Sequence, residues 1–214
     1  MRDVKGKSRR QRRRKNSGCC LGRLIVLLAI FSLIGFFGYK AFQGLSIKTY
    51  FMQLKYPIKY QNLVEEYARE NNLDFALVYG IINTESKFDP YAVSNAGAKG
   101  LMQLRDDTAK ECSKSLSIND FRADMLFEPD INIRMGCYYF SKLLKKYNGE
   151  TETALAAYNG GPGNVDKWLK DRDYSSDGVK LNYIPFDETN KYVKKVMTAY
   201  KAYADIYNLN EGVL

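Results

Sequence analysis

Histidine is missing from all 214 residues. That absence removes the serine–histidine–aspartate and cysteine–histidine nucleophile systems, and with them every histidine-ligated zinc site. Any chemistry must come from carboxylates, hydroxyls, amides, lysine or arginine. Cysteine is scarce: Cys19, Cys20, Cys112 and Cys137 are all there is. No β-rich region and no internal repeat can be found, so the periodicity predicts an all-α chain. The polar stretch 171–182 places Asp171, Asp173 and Ser175 as a calcium loop would, but Ser176 stands at the glycine position and Asn182 at the final glutamate. No metal or cofactor is expected.

Positive charge is plentiful, with 33 Lys and Arg against 24 Asp and Glu. It is also localised. Residues 1–23 hold ten basic residues and one acid, and the other 191 residues hold 23 of each sign. The basic character belongs to a tail, and the net charge beyond it gives no reason to expect a nucleic-acid partner.

Residues 24–39 carry no charge at all. A spanning helix needs about 20 residues, and here Arg23 and Lys40 can snorkel while residues 41–47 add uncharged length. Nothing amphipathic marks the run as a core helix. A cleaved signal peptide would need small residues in an A-x-A-like site after the run, and Ala41-Phe42-Gln43 does not supply one. A lipidated cysteine would follow the run, whereas Cys19 and Cys20 precede it. The expected layout is a basic cytoplasmic tail over 1–23, a transmembrane anchor over 24–43, a stalk or helix end over 44–55, and an extracytoplasmic domain over 56–214. The tail would also attract anionic headgroups. Outside the cytoplasm, Cys112 and Cys137 could form a disulfide or sit as buried apolar cysteines.

Within the domain, helical spacing predicts helices over about 60–71, 75–86, 131–147, 150–158, 165–170 and 188–207, and one that follows a cap at Asp106 or Asp107 and runs to about 115. Asp74, Asp106 or Asp107, Asp130 and Asn164 are the expected caps. In the second of these helices Val78, Ile81, Ile82 and Glu85 fall on one face. A carboxylate at the end of an apolar stripe is partly desolvated, which raises its pKa toward what a general acid needs. A helix-end glutamate turned into solvent is the plain alternative. Small residues follow, with Gly97 and Gly100 permitting close backbone approach and Gln103 able to donate and accept hydrogen bonds.

Four separated motifs then line up. Glu85-Ser86 is followed by Gly97-Ala98-Lys99-Gly100-Leu101-Met102-Gln103. Next comes Ala156-Ala157-Tyr158-Asn159-Gly160-Gly161-Pro162-Gly163. Last is Ile184-Pro185-Phe186-Asp187-Glu188-Thr189 with Tyr192-Val193. Over residues 56–207 the chain resembles the catalytic domain of the soluble lytic murein transglycosylase family, a lysozyme-like α fold related to goose-type lysozymes. The resemblance implies cleavage of the β-1,4 bond between N-acetylmuramic acid and N-acetylglucosamine in peptidoglycan, leaving 1,6-anhydro ends. It implies Glu85 as acid and then base, with Ser94, Gln103, Tyr158 and Glu188 along the glycan groove and Asn159 at its floor. Three positions depart from the family pattern: Arg105 where methionine is frequent, Asp106-Asp107 where a proline is common, and Gly160 for alanine. Two readings compete, a hydrolytic muramidase and a non-catalytic peptidoglycan-binding module of an envelope assembly.

Overall fold

A computed structural model describes residues 17–207. Residues 1–16, most of the basic tail, lie outside the described residues, as do the side chains of Cys19 and Cys20. The chain divides into two compact units, residues 1–51 and 52–214.

One helix, α1 (Ser17–Lys55), supplies the described part of the first unit. Its stretch Gly22–Lys55 is long and apolar enough to cross a membrane by length and composition, and none of its most apolar window is buried. Residues 44–55, read as a stalk or a helix end, are helical throughout. The helix stops just before Tyr56-Pro57, because a residue preceding proline is driven out of the α region.

The second unit is helical: α2 (Gln61–Glu70), α3 (Phe75–Glu85), α4 (Asp106–Ser115), a 3₁₀ turn (Ala123–Phe127), α5 (Pro129–Lys146), α6 (Thr151–Gly160), α7 (Pro162–Trp168) and α8 (Asp187–Tyr207). Among the described residues there is no strand, only isolated bridges pairing Lys99 with Val93 and with Leu104. Asp74 caps α3, its carboxylate accepting from the Ala76 and Leu77 N–H groups. The other three expected caps are not caps. Asp106 and Asp107 both lie in the first turn of α4, with Arg105 at the N-cap position. Asp130 is in the first turn of α5, where its carboxylate accepts the Tyr67 hydroxyl. Asn164 lies inside α7 and donates back to the Gly160 carbonyl. In both helices a proline, Pro129 or Pro162, takes the first position. Its fixed φ and missing N–H suit that place, so the helix begins earlier than the polar residue suggests.

The longest packed interface is α3 on α8. It needs Gly80, because a Cβ there would lie 3.1 Å from the Tyr200 nitrogen and 3.2 Å from the Val196 carbonyl oxygen. The main core joins α2, α3 and α5–α8, with Val78, Ile81 and Ile82 of the predicted stripe fully buried in it. A smaller core of Leu104, Ala109, Cys112, Leu126 and Met135 underlies α4 and the 3₁₀ turn. Cys137 belongs to the first core and Cys112 to the second, and both are free thiols.

Candidate active site

Helix α3 ends on Glu85, and the chain turns away at once. Lys87 and Phe88 have φ of 54° and 64°, both left-handed. Two contacts anchor this turn: the Phe88 ring lies 6.3 Å from Tyr79 in the core, and the Ser86 hydroxyl donates to the Leu101 carbonyl at 2.8 Å. Glu85 therefore sits at a fixed corner, partly exposed, between the helix and the 97–104 loop. Its Oε1 accepts a 2.7 Å hydrogen bond from the Tyr192 hydroxyl. Burial pushes its carboxyl up to about 7, and the Tyr192 hydrogen bond opposes that rise.

Tyr158 closes the other side. Its hydroxyl donates to the Met102 carbonyl at 2.7 Å, and its ring packs on Tyr139 and Phe140. Burial first, and the charge of Glu85 second, raise the phenols of both Tyr158 and Tyr192. Both remain protonated and can act as hydrogen-bond donors beside the carboxyl.

Buried Asn132 of α5 holds the small-residue loop. Its Oδ1 accepts from the Met102 N–H at 2.7 Å, and its amide donates to the carbonyls of Leu126 at 2.8 Å and Lys99 at 3.0 Å. Gly100 fits against this amide at φ +77°, where a Cβ would lie 2.1 Å from the Leu126 carbonyl oxygen. Gln103, itself at φ 50°, uses Nε2 on the Ala92 and Gly100 carbonyls. Ser94 is exposed and its hydroxyl accepts the Ala98 N–H, closing a tight turn. Both residues have clear tasks in shaping the loop. Gln103 follows Met102, whose carbonyl meets Tyr158.

Asn159 and Glu188 line an open groove of about 540 Å³ with Gly160, Pro185, Phe186, Asp187 and Thr189. Phe186 is held edge-on by Trp168, ring centroids 4.8 Å apart. Glu85 is not in this lining. Helix α8 links the two places: Glu188 faces the groove, and Tyr192, one turn later, meets the carboxyl. Gly160, the departure from alanine, faces Thr189, whose Oγ1 would be 3.0 Å from an added Cβ. Arg105 is exposed at the N-terminus of α4.

Sequence reasoning did not single out Tyr192 or Asn132 as site residues. Tyr192 stood in the fourth motif, four residues after Glu188, a spacing that sets both on one side of a helix. Asn132 had no local signal, because its three bonds reach across the fold.

Residues 62–180, more than half of the chain, match the family model described as the Transglycosylase SLT domain. This chain belongs to the transglycosylase SLT domain family. The all-α lysozyme-like fold of this SLT domain is shared with solved relatives. Among them is a lytic transglycosylase Slt from Pseudomonas aeruginosa, an inactive mutant with glutamine in place of a glutamate. It is 33% identical with a TM-score of 0.66, matching 76% of this chain and 26% of that one. The 70-kDa soluble lytic transglycosylase of Escherichia coli aligns at TM-score 0.65 and 28% identity, over 73% of this chain and 26% of that one. A complex of the 70-kDa soluble lytic transglycosylase with bulgecin A aligns at TM-score 0.66 and 27% identity, over 75% of this chain and 26% of that one. By sequence, the soluble lytic murein transglycosylase of Salmonella typhimurium is 36% identical and that of Escherichia coli K12 33%, each over 154 residues. The SLT chain spans about a quarter (24%) of the length of these curated relatives.

Proposed function

We propose that this chain is a membrane-anchored peptidoglycan lytic transglycosylase. Its substrate is the β-1,4 bond between N-acetylmuramic acid and N-acetylglucosamine, and its products end in 1,6-anhydromuramic acid. The observation that carries this reading is the Glu85 carboxyl, lifted to about 7 by burial and held by Tyr192. At neutral pH such a group is present in both forms, which suits a residue that first gives and then takes a proton.

Glu85 protonates the glycosidic oxygen as its bond to C1 of the muramic residue breaks. The muramic 6-hydroxyl oxygen then bonds to C1 and hands its proton to Glu85, which is regenerated. No water is consumed. A two-carboxylate glycosidase would need a second acid about 5–9.5 Å away. An ionised partner at that range would itself push Glu85 upward, yet the shift comes from burial, with Tyr192 as the other influence. This supports ring closure over the hydrolytic alternative.

Tyr192 positions the carboxyl, and Tyr158 holds the neighbouring loop at the Met102 carbonyl. Glu188 and Asn159 contact the glycan from the groove they line, and Gln103 and Ser94 shape the loop on the opposite wall. The relatives named soluble lytic murein transglycosylases, and the inactive glutamate-to-glutamine form of the Pseudomonas aeruginosa lytic transglycosylase Slt, support the assignment. The apolar stretch Gly22–Lys55 supports the anchor, with the catalytic unit extracytoplasmic by the charge of the tail. A binding module is the reading of a different class. Glu85→Gln separates the two: release of muropeptides from purified sacculi drops by at least ~100-fold, the lower range for losing a general acid. Release by Glu85→Gln at the wild-type rate would sink the assignment.

A further inference from the structure

Helix α8 buries Tyr192, Val193, Val196, Ala199 and Tyr203 and leaves Lys191, Lys194, Lys195 and Lys201 exposed along its opposite side. The acids of this helix, Asp187, Glu188 and Asp205, stand near its two ends. The ion pairs of the described residues use Arg69, Lys99, Arg122 and Lys146, none of them on this face.

Within the second unit, Lys87 is in electrostatic reach of Lys195 on this face and of Lys55. Tyr56 packs on Tyr203 at 5.5 Å and gives its carbonyl to the Tyr207 hydroxyl, so the residue after Lys55 is fastened to α8. Tyr203 also stacks on Tyr79 at 5.3 Å and Tyr79 meets Phe88, so the turn that carries Lys87 is packed against the same helix pair. Burial first, then the charges of Lys195 and Lys55, push the Lys87 ammonium below its ordinary value. A domain whose net charge is near zero thus gathers lysines of three separate elements in one place.

Lys55 is also the last residue of α1. A 34-residue apolar helix is about 51 Å long, longer than the hydrocarbon core and close to the full ~40–45 Å bilayer with its headgroups. Tyr50, Phe51 and Leu54, all 60–62% exposed, carry apolar and aromatic surface up to Lys55, the composition of a membrane interface.

We propose that the lysine face of α8, with Lys55 and Lys87, docks on the anionic lipid headgroups of the bilayer that α1 enters. The inference rests on the anchor reading above. The docking orients the catalytic unit rather than tethering it. Charge complementarity and chain continuity favour lipid headgroups over an anionic wall polymer as the occupant.

The full chain reconstituted into vesicles tests this. One set is pure phosphatidylcholine, the other an equimolar mixture with phosphatidylglycerol. Amine-reactive labelling is read residue by residue. The expected result is several-fold lower labelling of Lys87, Lys191, Lys194 and Lys195 in the anionic set, with exposed Lys142 and Lys145 of α5 unchanged. Protection should vanish at 1 M salt, where the Debye length is about 3 Å, and Lys194→Glu with Lys195→Glu should abolish it at Lys87. Equal labelling in the two sets overturns the proposal. Protection by a soluble polyphosphate, without protection by anionic vesicles, overturns it in favour of a wall polymer. Carbonate extraction of the same vesicles judges the anchor separately: release of the chain defeats the anchor reading and leaves the labelling to judge the lysine face.

Discussion

At Glu85 the apolar stripe of α3 ends in a carboxyl that burial lifts from 4.5 to about 7. The folded chain holds this proton more tightly than the unfolded chain does. The resulting stability is fully present below about pH 4.5 and is lost as pH rises through about 7. A shift of that size corresponds to at most about 3 kcal/mol. Glu85→Gln should therefore match the wild type in denaturant unfolding at about pH 4 and exceed it by about 1–3 kcal/mol above pH 7. Equal stability at both pH values would mean the carboxyl is not desolvated. Tyr192 works the other way, since its hydroxyl stabilises the ionised form. With Tyr192→Phe the fall in kcat/KM at alkaline pH should move to higher pH. A profile that stays put or moves down would remove Tyr192 from the account. The stripe was readable because helical spacing determines which residues share a face. Tyr192 was not, because its bond to Glu85 joins residues 107 positions apart.

Among the elements, helix spans were largely legible and their starts were not. Asp74 caps α3 as its residue type suggests, but Pro129 and Pro162 open their helices ahead of Asp130 and Asn164. The loop between α3 and α4 was the least legible element. Its composition announced a close backbone approach, and Gly100 meets that expectation against Leu126 and Asn132. What holds it, the three hydrogen bonds of Asn132, comes from α5. Asn132→Ala leaves a buried N–H and two carbonyls without their partner, each costing about 1–3 kcal/mol if it stays dry. It should lower the unfolding midpoint and, by loosening the loop that Tyr158 and Ser86 grip at Met102 and Leu101, reduce kcat more than it raises KM. Unchanged turnover in a folded Asn132→Ala protein would show that the loop needs no such clamp.

For the molecule as a whole, the formal charge of +9 was a misleading summary until its position was known. The tail carries it, α1 follows, and a second unit of near-zero net charge bears the SLT domain. Chain order and composition were enough to locate that charge. The lysine face was hidden because neutral net charge says nothing about distribution, and α8 with the residues around Lys55 and Lys87 had to fold together before the lysines met. The proposed reaction cuts a glycan bond with one carboxyl and without water. Mass spectrometry of purified peptidoglycan digested by the wild-type chain tests this most directly. The expected muropeptides are lighter by one water than their hydrolysed counterparts, with no reducing end at the muramic residue. Products bearing only reducing ends would contradict it.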